Sequence, residues 1–152
     1  MTLSDYIIKR NGVPAGSPHS LRNNLYRSLG AKNFSVFWNY WNPVFGYYLG
    51  MYVFKPIKKF FPSSAAIIFT FVICGMFHDI IISVVRGKIS VFFTLWFLIM
   101  GTGVLINRYF RYDLSERKWI LRALMNLGIV ISCLLLTIYL LNYLIPGINN
   151  IF

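Results

Sequence analysis

Residues 34–54 read FSVFWNYWNPVFGYYLGMYVF, and how this stretch sits decides the fold. It is long enough to cross a bilayer, which takes about 20 residues of helix. It also carries Asn39, Asn42, Pro43, Gly46 and Gly50, which interrupt a regular apolar helix. Charge placement separates the two readings. Eight Lys and Arg precede residue 64, two lie in 86–88, five lie in 107–122, and none follows Ile145. If 34–54 does not cross, thirteen of these fall on one side and two on the other. If it crosses, the split is eight against seven. Basic residues concentrate on the cytoplasmic side of membrane proteins, so an even split is disfavoured. The segment 34–61 is therefore expected to be re-entrant or interfacial.

Composition agrees with a membrane setting. The 152 residues are 57% hydrophobic and 12% charged, against about 25% charged in soluble domains. The net charge is +11, with the basic residues flanking apolar segments. That pattern fits anionic lipid headgroups and topology control rather than nucleic acid. Cys74 and Cys133 lie inside apolar runs and read as small buried hydrophobes. No close-spaced Cys and His set marks a metal site, and no cleavable leader is evident at the start of the chain.

Three later segments have the length and apolarity of spans: 64–85, 90–106 and 123–145. Asp113 and Glu116 are spaced as a capping pair, which would start the last helix near Leu114. Residues 1–19 are rich in turn formers and read as an irregular arm. Residues 20–30, SLRNNLYRSLG, form a short basic amphipathic helix. It lies either on the membrane surface or against the soluble side of the protein. The expected fold class is an all-α integral membrane protein with about three transmembrane helices. It forms one membrane domain over 1–152: a cytoplasmic arm (1–33), the re-entrant segment (34–61) and three membrane helices (62–152). The N-terminus is expected in the cytoplasm and the C-terminus on the opposite side of the cell membrane.

The chemistry gathers at 71–81, FVICGMFHDII. His78 lies roughly 21 Å along its helix from Ser64, past the bilayer midplane. An aspartate at such a depth costs roughly 2.5–3.5 kcal/mol unless paired or wet. Ionisable residues there mark functional sites by default. The plainer reading makes His78 a packing residue and Asp79 a partner for Arg86. Gly75 lets either a helix or a substrate approach closely. Cys74 is one turn from His78, but neither a Cys-His nucleophile nor a two-ligand metal site has further support. A neutral imidazole acting as general base needs less, with an asparagine amide holding the acceptor or the oxyanion.

FWNYWN (37–42) followed by FVICGMFHD (71–79) resembles the core of the membrane-bound O-acyltransferase family. That family carries an F-W-x-x-W-[NH] element, matched by Phe37, Trp38, Trp41 and Asn42, ahead of a histidine on a later helix. Wax-synthase-like members carry Ser-Gly-x-x-His-Glu, which resembles Cys74, Gly75, His78 and Asp79 with Cys for Ser and Asp for Glu. The resemblance covers roughly residues 34–106. It implies Asn42 and His78 as the catalytic pair, supported by Asp79, Trp38 and Trp41, with no metal and no cofactor beyond an acyl thioester co-substrate. Acyl-CoA or an acyl carrier protein would be the donor, and a hydroxyl on a lipid, sugar or polymer the acceptor. Family members usually have many more membrane helices. The chain thus resembles a C-terminal catalytic portion, which fits a minimal enzyme completed by self-association, a remnant without activity, or half of a split enzyme with a partner membrane subunit. Two other readings stand beside it: a non-catalytic membrane subunit with a structural His78, and a proton relay through His78 and Asp79.

Overall fold

A computed structural model describes residues 1–144. Among them every regular element is helical. Helices long and apolar enough to span a membrane are α6 (Ser63–Arg86), α7 (Phe92–Tyr109) and α8 (Trp119–Leu144). Before them come α1 (Leu3–Asn11), α2 (Ser20–Leu29), α3 (Phe34–Tyr40), α4 (Pro43–Leu49) and α5 (Lys55–Lys58). A π-helical turn, Gly50–Phe54, joins α4 to α5 without a break. The fold is the all-α membrane architecture expected from the sequence. The tail beyond Leu144, including the expected end of the last span at Ile145, lies outside the described residues.

Two boundaries correct the sequence reading. Residues 3–11 are helical rather than irregular. Thr2 accepts from the Asp5 N–H, and Asp5 accepts from the Thr2 N–H, so a capping box starts α1. Gly12 then ends it in the left-handed region at φ 84°. At the other boundary, Asp113 does not start the last helix. Its carboxylate takes the Ser115 N–H at 2.8 Å and pairs with Lys32 at 2.6 Å, leaving α8 to begin at Trp119.

The segment 34–54 enters and leaves at one end of the bundle. At its start, Ser35 N–H donates to Asn107 near the end of α7, and Arg108 Nε donates to the Ser35 hydroxyl. In its middle, the Phe45 ring meets the His78 ring at 6.2 Å, more than halfway along α6. At its finish, Lys55–Lys58 leads back to Ser63, the first residue of α6. The loop 87–91 joins α6 to α7 at the opposite end. The core beside this segment is aromatic, with Phe34, Phe37, Ile67, Met100 and Val104 buried together. Trp38 wedges between Phe71 and Phe97 with centroids at 4.9 and 6.0 Å.

Polar ties fix the same end. Asn126 of α8 is buried and donates to the carbonyls of both Leu29 and Ala31 at 2.9 Å. Leu114 N–H donates to Lys32 O, and the Trp119 indole N–H donates to Tyr26 O. The α2 helix turns its polar Asn24 and Ser28 inward, where Asn24 donates to Tyr40 O. Its Leu21 and Leu25 point outward. That orientation suits a helix lying on a membrane surface.

Candidate functional site

His78 and Asp79 are neighbours on α6 with different partners. Asp79 is 4% exposed and its carboxylate accepts three hydrogen bonds. Donors are the Ser90 hydroxyl at 2.7 Å, the Phe93 N–H at 3.0 Å and the Thr94 N–H at 2.7 Å. The two backbone donors are orphan amides of the first turn of α7, whose own N-cap position, Val91, offers no side-chain acceptor. Asp79 therefore caps α7 from a different helix. Gly75, one turn earlier, makes the contact possible. A Cβ there would meet Phe93 O and Thr94 Cα at 2.6 Å. The close approach foreseen for Gly75 is thus made by the α7 backbone.

The His78 ring points elsewhere. Its Nδ1 lies 2.8 Å from Cys74 O. A carbonyl oxygen only accepts, so Nδ1 carries the proton and, in the neutral ring, Nε2 holds the lone pair. Cys74 thus meets His78 through its backbone. Phe93 and Phe97 stack on the imidazole at 5.4 and 5.2 Å, and Phe45 abuts it edge-on. The ring is held in place with one nitrogen unengaged by the described residues.

That ring lines a cavity of about 350 Å3, within the size range of small-molecule sites. Asn42, Trp38 and Trp41 line the same cavity. The two motifs, more than thirty residues apart in sequence, are thereby brought together. Asn42 sits at φ 41°, a left-handed conformation that asparagine tolerates. Its Oδ1 caps α4 by accepting the Phe45 N–H at 3.2 Å, which leaves the amide N–H2 without a partner among the described residues. Pro43 follows at the first helical position, where its missing N–H costs nothing. Trp41 stacks on Phe37 at 5.5 Å and is 40% exposed, forming rim rather than core.

Further cavity residues had no signal in the sequence. Tyr6 arrives from α1, the helix hidden in a polar arm, and Thr70 comes from the apolar run of α6. Arg108 reaches the cavity from the end of α7, roughly 16 Å along that helix from Phe97. Asn39, the other amide of FWNYWN, also lines it. Tyr48 and Tyr52 instead stack on one another and are exposed, in keeping with an interfacial place. Among the described residues, no group of three or more His, Cys, Asp or Glu is arranged to hold a metal ion.

Neither the curated proteins nor the solved structures give a match to this chain. A family model does, and it spans residues 19–142, taking in both motifs, the whole of 34–54 and nearly all of the three apolar helices. The chain belongs to the membrane-bound O-acyltransferase family.

Proposed function

We propose that the cavity transfers an acyl group from a thioester donor to a hydroxyl acceptor, with His78 as general base. The observation that carries this reading is the Nδ1–H bond to Cys74 O, which leaves the basic lone pair on Nε2 of a ring that lines the same cavity as Asn42. In the forward step the acceptor O–H gives its proton to Nε2, and its oxygen attacks the thioester carbonyl. The tetrahedral oxyanion then collapses, the C–S bond breaks, and the thiolate leaves with the proton from the imidazolium. The free amide of Asn42 would donate to the acceptor or to the oxyanion. Asp79 supports this site indirectly, by fixing the turn of α7 that carries Phe93. The length of the cavity from His78 to Arg108 suits an extended donor such as acyl-CoA or the arm of an acyl carrier protein.

The test is transfer of radiolabel from acyl thioesters to a membrane-lipid extract by the purified chain. His78→Ala should lose transfer while keeping its melting midpoint. Asn42→Asp keeps an oxygen for the α4 cap and tolerates the left-handed backbone, but lacks the amide N–H2. It should fold and transfer slowly, whereas Asn42→Ala confounds chemistry with a lost cap and strain. Equal transfer by wild type and both variants would refute the assignment. Proton flux without acyl product would favour the relay reading.

A further inference from the structure

A second cavity, of about 420 Å3, lies away from His78. It is bounded by the C-terminal part of α2, the turn at residues 30–32, α3 and the start of α8. Its lining is basic: Arg27, Lys32 and Arg122, together with the polar Ser115 and Tyr40. Asp113 is the acid beside this group, and it is committed to Lys32 at 2.6 Å. Arg27 uses one guanidinium nitrogen on Arg10 O at 3.2 Å. Arg122 differs from both, because its Nε is buried and has no hydrogen-bond partner. A buried guanidinium N–H without an acceptor is costly. The Arg122 side chain lines the cavity, and a phosphate beside it would match the planar fork of arginine best.

We propose that this cavity binds the phosphate of an anionic membrane lipid, with Arg122 as its principal contact and Lys32 and Arg27 supplying field. Position argues for lipid over free phosphate. The cavity opens where the apolar helix α8 begins. Trp119 stacks on Tyr26 there at 5.1 Å, an aromatic pair of the kind found at headgroup level. Leu121 and Leu124 are exposed just beyond it on α8, and Leu21 and Leu25 are exposed on α2. Acyl chains would lie along that surface while the headgroup enters between the helices. Basic pockets between membrane helices bind anionic headgroups in this way. The proposal is independent of acyl transfer.

The experiment is a thermal melt of the full chain in uncharged detergent, titrated separately with phosphatidylglycerol, phosphatidylcholine and inorganic phosphate. Phosphatidylglycerol should raise the wild-type midpoint, and the other two should not. Arg122→Gln should weaken the apparent affinity roughly fivefold or more, as expected for loss of one interfacial cation. Arg117→Gln, at an exposed arginine outside the cavity lining, should leave it unchanged. If Arg122→Gln does not fold, Arg122→Lys carries the test. It should keep the lipid-free midpoint yet bind more weakly, because an ammonium lacks the fork. Equal affinity in wild type and the Arg122 variants would overturn the proposal, as would an equal loss in Arg117→Gln. An equal shift with inorganic phosphate would overturn the lipid as the ligand.

Discussion

The helix pair α6–α7 and the helix α8 are made of similar material and are built differently. The spans of α6 and α8 have nearly the same length and hydropathy. In α6 the polar residues lie deep: Asp79 is stitched to the first turn of α7, and His78 faces a cavity. In α8 the buried polar residues are Asn126 and Thr137. The first ties the helix to the turn that leads into 34–54, and the second returns its hydroxyl to Cys133 O in its own helix. Much of the remaining α8 surface is exposed leucine and isoleucine, as a lipid-facing helix requires. Hydropathy therefore identifies both spans equally well. What separates them is where each polar group finds its partner: Asp79 on the backbone of the next helix, Asn126 on the carbonyls before α3, and Thr137 within its own helix.

The comparison breaks most readily at Asp79. Asp79→Ala leaves two amides and a hydroxyl of the α7 start unpaired, and should cost roughly 3–5 kcal/mol in detergent unfolding. Asp79→Asn should lose less, since a carbonyl oxygen still accepts. Gly75→Val comes next, at roughly 2–3 kcal/mol, because its side chain would meet the backbone of Phe93 and Thr94 rather than a flexible neighbour. Asn126→Leu tests α8. Two carbonyls lose their donor, for about 2 kcal/mol, and the melt should show α8 loosening without an effect on the α6–α7 pair. A smaller effect concerns pH. The hydrogen bond from Lys32, followed by the Ser115 N–H, holds the Asp113 carboxyl at about 2, below its ordinary 3.8. The folded state then binds fewer protons than the unfolded state between these values. The tie is intact above pH 3.8 and is lost as pH falls toward 2. Melting midpoints of wild type and Asp113→Asn should converge across that window.

Much of this architecture was legible in the sequence. The apolar runs gave three spans to within a few residues at most ends. The asymmetry of basic residues favours a non-crossing 34–54, and in the fold its start meets Arg108 while its finish leads to Ser63. The N-terminal helix was hidden because it is short and polar, with Asp5 doing the capping work usually read from glutamate. The role of Asp113 was hidden too. Its spacing to Glu116 imitates a cap, while its partner Lys32 is distant in sequence. At the site, the motifs singled out Asn42 and His78, and the fold lines one cavity with both. Tyr6, Thr70 and Arg108 carried no signal, because each reaches the cavity through tertiary packing alone.

The central claim is that two adjacent residues on α6 divide the work, with Asp79 holding the helices and His78 moving a proton. The most direct measurement is acyl transfer per folded molecule by His78→Ala, with its melting midpoint recorded on the same sample. The account predicts a fall of about 100-fold or more at an unchanged midpoint. A lowered midpoint with transfer per folded molecule preserved would contradict it, and would make His78 a packing residue like its neighbour.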